Sequence, residues 1–255
     1  MRPEPRISDE IVSYALPFEE DFFAELSESA VLEDLGKGRR GATLTKPDEA
    51  GLVPLVRTTT RYGSPAQRFR AVHDRLARRI RALAELPADF DNALIERYTN
   101  AYATMGSHSD QALDLADESF IAVFSCYRNP ETVPSRKLMV ESKESGETFE
   151  IPLAHNGIVA FSVASNRRLK HKIVLDTSVP VAENEWLGVT FRTSKTFLRF
   201  HEGHPYLPDG ERLVPADETQ RREFYQLRRR ENNETEFVYP ALTYTISESD
   251  LMPPA

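Results

Sequence analysis

The chain has 255 residues, 40% of them hydrophobic and 28% charged, with a formal net charge of −8. This balance suits an ordinary soluble globular protein with a substantial core and excludes a largely disordered chain. No apolar run approaches the roughly 18 residues of a spanning helix, and the overall charge gives no attraction to a polyanion or an acidic membrane.

The opening M-R-P-E-P-R-I-S-D-E carries no apolar secretory segment, and a single cysteine fits a reducing compartment, so the expected location is cytoplasmic. Nothing in the composition calls for a membrane or an obligate protein partner. From 17 to 30, P-F-E-E-D-F-F-A-E-L-S-E-S-A reads as a short amphipathic helix; from 33 to 51, Gly36, Gly38, Gly41 and Pro47 read as a loop. Residues 68 to 81 carry six arginines and predict a helix whose apolar stripe is Phe69, Val72, Leu76, Ile80 and Leu83, with Arg68, Arg75 and Arg79 alongside. The plain reading is a core-packing helix with a solvated flank; the alternative is a phosphate-contacting stripe.

Beyond this helix the apolar period shifts to 2, giving candidate strands at 93–103, 119–127, 136–142, 147–152, 157–163, 168–175 and 186–200. Cys126 falls in the apolar run F-I-A-V-F-S-C-Y and reads as a buried strand position, not a nucleophile. Short strands behind one or two helices imply an α+β, mainly β fold, a sandwich or jelly roll. The run D-E-T-Q-R-R-E-F-Y-Q-L-R-R-R-E predicts one more surface helix, followed by an extended apolar segment, F-V-Y-P-A-L-T-Y-T-I, packed back on the core. No repeat or Gly/Ser linker marks a boundary, so one domain over 1–255 is expected.

The triplet His108-Ser109-Asp110 places two metal-ligand side chains on one face of an extended segment. With six His and fourteen Asp in the chain, an H-x-D arises by chance in about one such sequence in three, so it needs a partner. Among the other histidines, His73 lies on the arginine-rich helix, His155 precedes the turn Asn156-Gly157 and is expected to be exposed, and His201 and His204 lie in the loop-like H-E-G-H-P. His171 sits in R-R-L-K-H-K-I-V-L, a credible strand that would run beside the H-x-D segment in a jelly roll. Two His and one carboxylate with open positions opposite describe an iron(II) site, although zinc accepts the same donors. Arg192 lies in the apolar strand W-L-G-V-T-F-R, where a guanidinium calls for an anion such as a carboxylate.

Together H-S-D, the His of N-R-R-L-K-H-K-I-V and the Arg of V-T-F-R resemble the AlkB-like iron(II)/2-oxoglutarate-dependent oxygenases. The likeness spans about residues 90 to 200. Asn100-Ala101-Tyr102 resembles the N-x-Y that precedes H-x-D in that family. The strand I-A-V-F-S-C-Y-R and the run I-P-L-A-H-N-G-I-V-A-F-S resemble its flanking segments. The resemblance implies a double-stranded β-helix, the cupin-like jelly roll, over 91–200, behind an N-terminal helical and substrate-entrance region (1–90) and before a C-terminal extension (201–255). It also implies Fe(II) on His108, Asp110 and His171, with 2-oxoglutarate and O2 as cosubstrates and Asn100, Tyr102 and Arg192 around the 2-oxoglutarate.

The family closes on R-x-N-x-T-F-R, whereas this chain has Trp186-Leu187-Gly188-Val189-Thr190-Phe191-Arg192, so the first Arg and the Asn are absent. Either Arg192 is the last arginine and another group holds the far carboxylate, or the register slips and Ser194 is the hydroxyl partner of Arg192. Substrate contacts are expected from Arg57, Arg61, Tyr62 and Gln67, whose plain reading is ordinary loop chemistry. The implied activity is hydroxylation or oxidative N-demethylation. A small-molecule or peptide substrate is favoured by the acidic charge, and an AlkB-type nucleic-acid demethylase is the alternative. A non-catalytic jelly roll that binds a metal or ligand is the third reading.

Overall fold

The computed structural model describes residues 7–17, 20–132, 135–177 and 183–255. Strand β1 (Ile11–Ala15) leads to helix α1 (Phe22–Ser29), the hairpin of β2 (Glu33–Gly36) and β3 (Arg39–Thr45), short strands β4 (Val53–Leu55) and β5 (Gln67–Arg68), and helix α2 (Ala71–Leu83). The central strands are β6 (Asn92–Tyr98), β7 (Phe120–Tyr127), β8 (Arg136–Ser142), β9 (Thr148–Pro152) and β10 (Gly157–Ser162). Helix α3 (Val163–Arg168), β11 (Leu169–Leu175) and β12 (Trp186–Arg192) complete them. A C-terminal part adds β13 (Thr196–His201), β14 (His204–Tyr206), β15 (Val214–Pro215), helix α4 (Glu218–Asn233) and β16 (Tyr244–Thr245).

Antiparallel pairing joins β1, β10, β7, β12, β6, β3 and β2, in that order, into the larger sheet, with β5 parallel beside β3. The smaller sheet runs β11, β8, β9. Bridges Thr104↔Val174 and His108↔His171 add the segment 104–108 along the free side of β11. The strict period of two on β12 divides the interior. Leu187, Val189 and Phe191 pack toward Phe22 and Leu26 of α1 and Leu76 and Ile80 of α2. Trp186 turns the other way and joins Tyr98, Tyr127, Leu138 and Val140 between the sheets. This is the expected jelly roll, mainly β, with α1 and α2 against the outer face of the larger sheet. Cys126 is fully buried in β7, as its apolar run predicts.

The segment 33–51 is not a loop. Gly36, Lys37 and Gly38, all with positive φ, make a tight turn, and β3 beyond it pairs with β6 residue by residue from Arg39↔Tyr98 to Thr45↔Asn92. The glycines mark one hairpin turn, and the alternation of Ala42 and Leu44 carries the strand. The run 186–200 is two strands, because Ser194 is buried and its hydroxyl donates to the carbonyls of Leu55 (2.6 Å) and Thr196 (2.7 Å), turning the chain into β13. Strand 93–103 stops at Tyr98. Helix α3 separates β10 from β11, with Ser162 capping it by accepting from the N–H of Ser165 at 2.9 Å. H-E-G-H-P is a β13–β14 hairpin closed at Glu202 and Gly203, both with positive φ. His155 is half-buried and accepts from the N–H of Tyr127 at 3.1 Å. The first helix begins at Phe22; residues 18 and 19 of its expected range lie outside the described residues.

Helix α2 packs as the plain reading expects, although Leu83 at its end is exposed. Its arginines do not form a free basic stripe: Arg75 pairs with Glu25 and Arg79 with Glu20 near α1. His73 is a structural residue, bonded to Ser29 Oγ at 2.8 Å and accepting from the N–H of Arg70 at 2.9 Å.

Asp91 ties the end of β12 to the start of β6: its carboxylate accepts from the N–H of Ser194 at 2.9 Å, and its own N–H donates to the carbonyl of Arg192 at 3.1 Å. Burial raises its carboxyl to about 7. The folded chain therefore holds this proton more tightly than the unfolded chain, and stability is lost as pH rises from the ordinary carboxylate range toward 7. Asp91→Asn keeps the acceptor and removes the charge. Thermal melts are expected to show the variant gaining on wild type as pH rises from about 4 to about 7, with no further gain above; a constant difference over this range would contradict the assignment.

Candidate metal centre

The inward face of β11 presents Leu169, His171 and Ile173, all buried. His108 arrives along the edge of that strand, where reciprocal backbone hydrogen bonds with His171 (2.9 and 2.7 Å) set the imidazole centroids 4.8 Å apart. Three elements hold the next two residues. The Asn166 amide of α3 accepts from the N–H of Asp110 at 2.8 Å and donates to its carbonyl at 2.7 Å. From α4, Arg228 donates to the carbonyl of Ser109 at 2.8 Å and Asn232 accepts from its N–H at 3.0 Å. Ser109 Oγ donates to the carbonyl of Leu169 at 2.8 Å.

Arg192 reaches across from β12 and donates through Nε and Nη2 to Asp110 Oδ2, at 2.8 and 2.6 Å. The other oxygen, Oδ1, is 3.7 Å from His108 Nε2 and 3.6 Å from His171 Nε2. One donor atom from each of His108, Asp110 and His171 thus lies within 4.8 Å of the others. Burial alone would push Asp110 up, but Arg192 and the two imidazoles outweigh it and hold the carboxyl well below its ordinary range. Burial and the neighbouring His171 lower His108 to about 4, so it is neutral near pH 7. Its Nδ1 lies 2.8 Å from the carbonyl of Gly106; that contact places the proton on Nδ1 and leaves the Nε2 lone pair facing Asp110. The set is two imidazoles and one ionised oxygen, arranged to take a divalent cation.

The triplet opens on a cavity of about 750 Å³ whose walls include Arg39, Glu96, Tyr102, Gln111, Leu138 and Tyr225. Arg57 also reaches this cavity, but its guanidinium is held by both oxygens of Asp114 and by the carbonyls of Leu242 and Tyr244. Tyr102 lies in the wall with its ring 4.6 Å from that of Tyr98, whereas Asn100 sits in the preceding turn outside the lining. Ser194 is bonded into the β12–β13 turn and does not reach the cavity, which favours the register without the slip. Arg61 and Tyr62 line a separate cleft with Ser247, though Arg61 extends toward Tyr225 (3.4 Å). Gln67 is bonded to the backbone of Val31 at both ends of its amide, away from the site.

Several wall residues escaped the sequence reading. Arg39 pairs with Glu96, and Tyr98 donates to the same carboxylate at 2.5 Å; Arg39 lies in the hairpin misread as loop. Gln111 is buried beside Asp110, and neither end of its amide has a partner among the described residues. Its place directly after H-x-D was the available signal.

No family model and no curated protein matches the chain. The likeness lies in structure. The chain is similar in fold to OsALKBH1. That solved structure aligns over 72% of this chain and 98% of its own, with a TM-score of 0.50 and 16% identity. A prolyl-4-hydroxylase from Pseudomonas putida aligns more loosely, over 73% of this chain and 96% of its own at 16% identity, with a TM-score of 0.44. At such identity the similarity to OsALKBH1 is one of fold, and what the site does rests on its own residues.

His171→Ala is expected to abolish Mn(II) binding measured by calorimetry. Arg192→Ala, which frees Asp110 Oδ2, should weaken it about 10- to 100-fold, the usual effect of removing a residue that orients a metal ligand. Undiminished affinity in His171→Ala would remove the site.

Proposed function

We propose that the protein is an Fe(II)- and 2-oxoglutarate-dependent oxygenase. The observation that carries this reading is Asp110, held through Oδ2 by Arg192 so that only Oδ1 faces the two imidazoles at the wall of a cavity. A site of two nitrogens and one monodentate carboxylate suits iron(II) and leaves positions open for two oxygen-donor ligands. The jelly-roll fold, shared with OsALKBH1, and the AlkB-like motif order support the same reading. Bound Fe(II), with 2-oxoglutarate and O2, would supply oxidation of a substrate C–H bond.

The protein's own share is placement. Asn166 and Ser109 hold the backbone of the ligand segment rigid between α3, α4 and β11. Arg192 keeps Asp110 ionised and monodentate, and its Nη1, buried without a partner among the described residues, is a donor left for the cosubstrate. Leu138, Ile173, Val123 and Leu94 give the cavity apolar walls that keep water from the reacting atoms.

For the substrate we favour a small molecule or peptide. A cavity of about 750 Å³ has the size of a small-ligand site, and a net charge of −8 works against a phosphate backbone. The cytoplasmic expectation belongs to the same proposal; among the described residues no helix is long and apolar enough to cross a membrane.

Purified protein loaded with Fe(II) and supplied with ascorbate, which gives the two electrons the absent substrate would give, is expected to convert 2-oxoglutarate and O2 slowly to succinate, CO2 and water, and to lose this in Asp110→Ala. Absence of any Fe(II)-dependent succinate would contradict the proposal. Turnover with metabolite or peptide pools should accelerate it. Formaldehyde release from a methylated single strand, with binding that falls steeply with salt, would move the substrate to nucleic acid.

A further inference from the structure

Arginines whose guanidinium is drawn into the interior nearly all have their own carboxylate. Arg57 has Asp114, Arg39 has Glu96, Arg192 has Asp110 and Arg228 has Glu231. Arg136, the first residue of β8, is the exception. It is 1% exposed, yet no acidic residue pairs with it among the described residues. Its Nη2 donates to the carbonyl of Thr99 at 2.8 Å, while Nε and Nη1 have no partner among the described residues. The guanidinium carbon stands 5.2 Å from the ring centre of Tyr98, and the ionisable groups facing it are the tyrosines Tyr98, Tyr102 and Tyr127. Holding a guanidinium in such a place without an anion is costly, and a chain of this composition has no need of it for packing.

Its position gives the cost a purpose. Val140, Leu138 and Arg136 follow one another on the inward face of β8, opposite His171, Ile173 and Leu175 of β11. Leu138 and Ile173 line the cavity beside the metal centre, so Arg136 is the next inward residue past the cavity wall. From the level of His171 to Arg136 is about 13 Å along the strand, within the combined reach of an arginine side chain and a five-carbon dicarboxylate. Tyr102 lies in the cavity wall and also faces Arg136, joining the two regions. On β12 the position that would otherwise carry a cation is Trp186, whose ring folds over Gly188 and whose Nε1 donates to Ser125 Oγ at 2.5 Å.

Resting on the function proposed above, we infer that Arg136 binds the distal carboxylate of 2-oxoglutarate, supplying from β8 the guanidinium that β12 lacks. Because Thr99 takes only one N–H of Nη2, the other completes a two-donor edge with Nε or with Nη1, suited to a carboxylate, and Tyr98 supports the plane from one face. Leu138 and Tyr102 are the side chains between this edge and the cavity.

The test is calorimetry on the Mn(II)-loaded protein, which binds without turnover, using 2-oxoglutarate and 2-oxovalerate. The second ligand has the same carbon count and lacks the distal carboxylate. Wild type is expected to prefer 2-oxoglutarate by ~50-fold or more, and Arg136→Gln and Arg136→Met to lose that preference while binding 2-oxovalerate and Mn(II) as before. Arg136→Met is expected also to melt at a higher temperature than wild type, since it removes an unpaired buried charge. A preference for 2-oxoglutarate retained in both variants, or absent from wild type, would overturn the inference and leave the oxygenase reading standing. Failure of wild type to bind either 2-oxo acid would instead overturn that reading.

Discussion

The pairing of Asp110 with Arg192 is the interaction on which the site depends. Both side chains are buried, and a carboxylate placed there alone would take up a proton and cease to be a ligand. Arg192 comes from the larger sheet and Asp110 from the segment lying against the smaller one, so the pair forms only when the two sheets are stacked in register. Folding and site assembly are thereby one event. The two hydrogen bonds to Oδ2 also fix which oxygen remains for a metal, a choice that a free carboxylate leaves open.

The elements outside the jelly roll serve this arrangement. Helix α4 anchors Ser109 through Arg228 and Asn232, and the extended segment after it buries Phe237, Leu242 and Tyr244 against Leu113 and the helix. Carbonyls from that segment, those of Leu242 and Tyr244, complete the coordination of Arg57, whose backbone N–H donates to Asp114 at 2.9 Å. The C-terminal extension therefore forms part of the wall supporting the ligand segment. On the opposite side β3 brings Arg39 to Glu96, so this cation of the cavity wall, like Arg57, Arg192 and Arg228, has its own carboxylate. This leaves the interior near-neutral despite its many arginines and makes Arg136 stand apart.

How much of this is legible in the sequence follows from the range of the interactions. His108 and Asp110 can be paired from an alternation of two, and β11 can be recognised because inward residues alternate with lysines from Leu169 to Ile173. The jelly roll follows from strands of this length separated by turn-formers. Arg39 could not be placed, because Gly36 and Gly38 carry the same signal in a hairpin as in a loop, and only pairing with β6 distinguishes them. The structural role of Arg57 was equally hidden, since its partners Asp114, Leu242 and Tyr244 are far away in the chain. The run 186–200 looks continuous because nothing local reveals that Ser194 is buried and bonded to Leu55. Absence is harder still. That Arg136 lacks an anion among the described residues is a property of every residue that folds around it.

The account turns on a divalent metal held by His108, Asp110 and His171 with Arg192 remaining on Asp110. Anomalous diffraction from a crystal soaked in Mn(II) measures this most directly. It should show a peak bonded to Nε2 of both histidines and to Oδ1 of Asp110, with Oδ2 still hydrogen-bonded to Arg192. A saturating soak that leaves this position without a peak, or a metal that takes both oxygens of Asp110 and displaces Arg192, would contradict it.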